Sequence, residues 1–177
     1  MRSAAILTVA VLALAACASA QFISVKSASV WLTPTQGNVA QGTIRLDVVS
    51  EQLTRITANI TGLAANSVHG FHIHELGALD AQGLASGGHY NPFNVTHACP
   101  GTGAAVRHVG DLGNIKADAN GNAVYDEVNE LVKLNGITSV IGRAFILHLN
   151  PDDCVTQPVG NAGSRIAQGV IGILIEN

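Results

Sequence analysis

Gly113-Asn114-Ile115-Lys116-Ala117 leads into Asp118-Ala119-Asn120-Gly121-Asn122, and Ala123-Val124-Tyr125-Asp126-Glu127-Val128 follows. Two short β-forming stretches flank a dense cluster of turn-formers, which is the pattern of a hairpin. Asn120 and Gly121 are residue types that tolerate positive φ, so the turn can close tightly between the strands. The same pattern runs outward in both directions. Stretches rich in Val, Ile, Leu and Thr, separated by Gly, Asn, Asp and Pro, predict strands near 27–32, 42–49, 53–61, 67–75, 113–117, 123–128, 141–149 and 167–175. No long amphipathic helix is legible after residue 20. Eight strands in one modest chain predict an all-β, eight-stranded sandwich or flattened barrel. Two long irregular segments, 76–111 and 150–165, interrupt it, and connections of that length are usually functional.

At 177 residues the chain has room for one domain with a sizeable core. Its first twenty residues stand apart. Arg2 supplies a positive start, an apolar run follows from Ala4 to Ala16, and Ala18-Ser19-Ala20 has the form of a cleavage site. Residues 1–20 are therefore read as a signal peptide and 21–177 as the mature domain, secreted to the extracellular space. Leu14-Ala15-Ala16-Cys17 offers an alternative, a lipid anchor through Cys17. Cleavage after Ala20 removes one positive charge from a formal net charge of −3. Such mild acidity argues against a nucleic-acid partner and against a polybasic membrane contact. The apolar run is also too short for a stable membrane span. Two cysteines survive cleavage, Cys99 and Cys154, an even count that permits a disulfide in an oxidising compartment. Asn59-Ile60-Thr61 and Asn94-Val95-Thr96 are acceptor triplets for N-glycosylation in a eukaryotic secretory pathway.

Chemistry concentrates in the seven histidines. His72 and His74 lie two apart on a predicted strand and so project from one face. His89 and His97 lie in the first long segment, which His108-Val109-Gly110-Asp111 closes with an imidazole and a carboxylate three apart. His148 ends an apolar strand, where an unpartnered imidazole is costly to bury. Imidazole-rich sites suit copper and zinc, whereas oxygen-rich sites suit magnesium and calcium, and sulfur is scarce here. Spacing alone leaves open which histidine serves which ion.

Gly70-Phe71-His72-Ile73-His74-Glu75, Gly87-Gly88-His89-Tyr90-Asn91-Pro92, Arg107-His108-Val109-Gly110-Asp111-Leu112-Gly113-Asn114, Ile141-Gly142-Arg143 and Gly160-Asn161-Ala162-Gly163-Ser164-Arg165 resemble the signature blocks of copper,zinc superoxide dismutases, of the eukaryotic type, over about residues 27–175. The resemblance implies a Greek-key barrel, copper and zinc as cofactors, superoxide as substrate and a homodimer. It implies a copper site of His72, His74, His89 and His148 and a zinc site of His89, His97, His108 and Asp111, with His89 shared and also carrying a proton. Arg165 is implied to bind the substrate anion, and Asp152, with Asp153 as its neighbouring competitor, to orient His72 and His97. His69 matches a structural position. Without turnover, the same residues would make a metal-binding module. A purely structural sandwich would leave them unexplained.

The chain also departs from the family pattern. The usual intrasubunit disulfide is missing: Gly83 or Leu84 stands at one cysteine position and Gln168 at the other. If Asp152 contacts His97, then Cys99 and Cys154, each two residues further on, come together, so a Cys99–Cys154 disulfide is expected instead. The segment from Cys154 to Val159 is short and uncharged but for the neighbouring Asp153, which predicts a more open copper and weak electrostatic guidance.

Overall fold

The computed structural model describes residues 24–103 and 106–175. The segment 1–20, read above as a signal peptide, lies outside them. The strands are β1 (Ser27–Pro34), β2 (Gln41–Val48), β3 (Thr54–Thr61), β4 (Val68–His74), β5 (Asp111–Lys116), β6 (Ala123–Asn129), β7 (Ala144–His148), β8 (Arg165–Val170) and β9 (Gly172–Leu174), with a single turn of 3-10 helix at Leu84–Ser86. They pair antiparallel in the order β5-β4-β7-β8-β1-β2-β3-β6. The two ends of this order, β5 and β6, are consecutive in the chain and meet at an Ala117–Ala123 bridge. The sheet thus curls into a nearly closed barrel, and the β3–β6 and β4–β7 pairings are its Greek-key crossings.

The hairpin between β5 and β6 forms as its residues require. Asp118 Oδ1 accepts the backbone N–H groups of Asn120 and Asn122, and the Gly121 N–H donates to the Asp118 carbonyl. Gly121 has φ 78°, and a Cβ there would meet the Leu63 carbonyl oxygen at 2.2 Å, so only glycine fits. Asn120 does not take the positive φ its type allows.

Period-two alternation fills the barrel. Val30 and Leu32 from β1, Ile44 and Leu46 from β2, Ile56, Ala58 and Ile60 from β3, and Phe71, Ile73, Phe145 and Leu147 from β4 and β7 form one core. Each large side chain removed from water contributes about 1.5–3 kcal/mol. On β3 the outward positions Arg55, Asn59 and Thr61 are exposed, whereas β4 and β7 are buried on both faces. The outer face of these two strands carries His72, His74 and His148, and the long segments cover it. The site therefore sits between the barrel wall and its two loops.

Several boundaries differ from expectation, among them that of β7, which begins at Ala144 rather than at 141. The single strand expected over 167–175 breaks at Ile171: β8 pairs with β7, β9 pairs with the start of β1, and Ile171 instead exchanges backbone bonds with Gly142 and Arg143. Strand β5 begins at Asp111, two residues earlier than the sequence pattern suggested.

Candidate metal centre

Two groups of side chains converge on the outer face of β4. His72, His74, His89 and His148 place one nitrogen each within 4.8 Å of one another, and His89, His97, His108 and Asp111 do the same with their ligand atoms. All seven residues are buried, and His89 belongs to both groups. The two groups are the ones the family resemblance implied. His69 joins neither: its Nδ1 donates to the His148 carbonyl at 2.8 Å and its Nε2 lies 2.7 Å from Ser67 Oγ.

Five of the six imidazoles are oriented by a bond from the far nitrogen; His89 instead faces one group with each of its two. His72 Nε2 donates to Asp152 Oδ2 at 2.8 Å, and His97 Nε2 to Asp152 Oδ1 at 3.0 Å. His74 Nδ1 donates to the Gly87 carbonyl at 2.9 Å, His148 Nδ1 to the Gly163 carbonyl at 3.0 Å, and His108 Nε2 to the Val95 carbonyl at 3.0 Å. A proton fixed at one nitrogen leaves a lone pair at the other, so the inward-facing atoms are acceptors. Four of them, His72 Nδ1, His89 Nε2, His97 Nδ1 and His108 Nδ1, are buried without any hydrogen-bond partner. The Nε2 atoms of His74 and His148 face each other at 3.3 Å with both protons committed elsewhere. Buried acceptors aimed at one another are costly unless a cation lies among them. The donor set thus fits a metal at each group.

In the second group, Asp111 Oδ1 lies 2.8 Å from His89 Nδ1, 3.0 Å from His97 Nδ1 and 3.2 Å from His108 Nδ1. Tetrahedral zinc with bonds near 2.0–2.1 Å has ligand–ligand edges of about 3.3 Å, so these spacings suit it. The other oxygen, Oδ2, is tied to the backbone N–H groups of Ala98 and His108.

Electrostatics favour neutral imidazoles in the first group. Burial draws His89 down to about 4 and His148 to about 3, and it lowers His74 well below its ordinary value. Burial also lowers His72, although Asp152 opposes it. At His97 burial acts downward too, but the carboxylates of Asp111 and Asp152 beside it outweigh that and raise the group to about 9. Burial would raise both carboxylates, yet their histidine partners hold Asp111 and Asp152 far below the usual range.

Asp152 bridges His72 and His97, whereas Asp153 caps a surface turn through the N–H groups of Val155 and Thr156. Cys99 and Cys154 are joined as a disulfide. Gly83 faces Gln168, whereas Leu84 is exposed. Arg165 lies beside the first group. Its guanidinium donates to the carbonyls of Gly83 and Gly87 and to Ser86 Oγ, which in turn is 3.3 Å from His74 Nδ1. Three supporting residues were not legible beforehand. Gln157 clamps the His97 backbone with both ends of its amide. Asn114 does the same for Asp152, and Ser86 links Arg165 to His74.

The family model described as copper/zinc superoxide dismutase matches residues 40–171. The chain belongs to that family. Among curated relatives, the superoxide dismutase [Cu-Zn] of Candida glabrata is 45% identical over 139 residues, covering 75% of this chain and 89% of that protein. That of Humicola lutea is 43% identical over 139 residues, covering 75% and 90%. The protein of the same name from Paramecium bursaria Chlorella virus 1 is 41% identical over 143 residues, covering 77% and 75%. A crystal structure of the clock protein EA4 superposes with a TM-score of 0.79 at 36% identity, covering 86% of this chain and 98% of that one. Family membership makes the chain a superoxide dismutase by enzyme class, and the histidine clusters fit the family's copper and zinc.

Proposed function

We propose that the chain dismutates superoxide at a copper held by His72, His74, His89 and His148, joined through His89 to a zinc held by His97, His108 and Asp111. The observation that carries this reading is the double membership of His89. Its Nδ1 points into the zinc group and its partnerless Nε2 into the copper group. A neutral imidazole has one proton for two nitrogens, so a ring ligating on both sides must give that proton up.

Bound there, copper supplies the one-electron couple that dismutation needs, and zinc supplies a fixed positive charge. The balance is two superoxide anions and two protons giving one dioxygen and one hydrogen peroxide. Arg165 binds the anion. Its guanidinium stays charged despite the lowering that burial imposes, and its planar fork suits a small anionic guest. His89 Nε2 is the atom at which a proton is held between half-reactions and given to the reduced product. Asp152 keeps His72 and His97 from turning. Metal analysis with superoxide consumption before and after copper chelation tests the reading. One copper and one zinc per chain with chelator-sensitive activity supports it, and metal binding without turnover overturns it. Arg165→Ala is expected to lower kcat/KM at least about tenfold, through loss of local anion attraction.

The charged, apolar and small-residue order of residues 1–20, together with the disulfide, supports a site outside the cell. Sequencing the secreted product should find Gln21 first; a lipid on Cys17 would contradict that. Among the described residues no helix is long and apolar enough to cross a membrane. A homodimer completes the proposal, checked by sedimentation.

A further inference from the structure

Three residues beyond Arg165 on β8, Gln168 is buried, although its side chain is a polar amide. Its Nε2 donates to the carbonyl of Asp80, and its Oε1 finds no partner. Asp80 opens the turn that supplies Arg165 with its acceptors. The Asp80 carboxylate receives the N–H groups of Gln82, Leu84 and Ala85, so the turn behaves as one piece. Gly83 packs between the two β8 side chains: a Cβ there would lie 3.1 Å from Arg165 Cβ and 3.5 Å from Gln168 Oε1. The carbonyls of Gly83 and Gly87 and the Ser86 hydroxyl then take both Nη1 protons and one Nη2 proton of Arg165. Among the described residues Nε–H has no partner, and it lies on the guanidinium edge that Nε shares with Nη2. Such an edge can grip an anion bidentately.

We infer that Gln168 is a positioning residue for superoxide: its buried amide pins the 80–87 turn, and the turn aims the free edge of Arg165. The inference rests on the anion-binding role proposed for Arg165. Among the described residues no other residue of β8 bonds the Asp80 carbonyl; the Gln36 N–H holds the next carbonyl, Ala81, and the Leu76 N–H holds that of Ser86, so Gln168 fixes the leading end of the turn that carries Arg165's acceptors.

Gln168→Met tests this in the copper- and zinc-loaded protein, because methionine keeps the length and removes the donor. Expected are a fall in kcat/KM of about threefold to tenfold, the loss of one neutral hydrogen bond's worth of alignment, and an equal weakening of competitive inhibition by azide. Metal content should stay at one copper and one zinc per chain. In the metal-free variant, amides of 80–87 should exchange faster while Tm barely moves, since the unpartnered Oε1 disappears as well. A lowered Tm with kcat/KM and azide inhibition unchanged would mark Gln168 as structural only and overturn the inference. If Arg165→Ala leaves azide inhibition unaltered, the anion role itself fails, while the exchange data still judge the pin. Should the methionine variant not accumulate, the side-chain amide protons of Gln168 in labelled wild-type protein decide: slow exchange supports the pin, and solvent-like exchange overturns it.

Discussion

Replacing Asp152 with alanine removes the carboxylate that steadies His72 in one group and His97 in the other. Its Oδ2 accepts from His72 Nε2 at 2.8 Å, and its Oδ1 from His97 Nε2 at 3.0 Å and from the Cys154 N–H at 2.7 Å. The side chains of Asp152, His72 and His97 are wholly screened from solvent. Three donors lose their acceptor at once, each at about 1–3 kcal/mol if left unsatisfied. Water entering the vacated space restores part of this, so a net loss of about 3 kcal/mol is expected for the metal-free protein. The two metals should respond unequally. His72 sits on β4, which is paired on one side with β5 and on the other with β7, so its ring keeps its place. His97 sits in a loop, its backbone held by Gln157, and without Asp152 its Nδ1 loses its aim. Removing an outer partner of a metal ligand costs roughly 10–100-fold in affinity; zinc should fall near the upper figure and copper near the lower. Competition against a chromophoric chelator, run separately for each ion, measures both. Zinc affinity within threefold of wild type, or copper lost and zinc retained, would falsify this reasoning.

Three further outcomes are expected. Cys99→Ser with Cys154→Ser opens a loop of 55 residues, which on the chain-entropy view is worth about 4 kcal/mol; denaturant unfolding of the two forms under oxidising conditions checks it, and equal stability would contradict it. Metal-free protein should be most stable near pH 6.5, as denaturant midpoints across pH will show. His89 and His148 are held by burial at about 4 and about 3, so their contribution is present above 6.5 and fades as pH falls through that window; His97, raised to about 9 by Asp111 and Asp152 against burial, contributes below 6.5 and loses it toward pH 9. With the 154–159 segment lacking cations, kcat/KM should depend only weakly on ionic strength, and a steep fall between low and physiological salt in stopped-flow consumption of superoxide would count against it.

Strand positions were legible because a barrel with one wet and one dry face writes its geometry as alternation, and β3 shows it plainly in Ile56, Ala58 and Ile60 against Arg55, Asn59 and Thr61. The break at Ile171 was not, since apolar residues continue through it and only the exchange of partners between β7 and β1 reveals it. The candidate metal ligands were legible as a group because six of the seven histidines belong to it, but their division between two ions came from family resemblance. The disulfide followed from one contact, Asp152 with His97, which holds. Gln157, Asn114 and Ser86 escaped notice because each acts through bonds to residues distant in the chain, where composition and periodicity carry no signal.

Whether one imidazole joins the two ions is tested most directly by loading Co(II) at the zinc position beside Cu(II) and recording the copper electron paramagnetic resonance. A ring ligating through both nitrogens couples the two spins, so the expected result is near-complete loss of the Cu(II) signal with one ion of each kind per chain. A full-intensity Cu(II) spectrum at that stoichiometry would mean that His89 does not bridge.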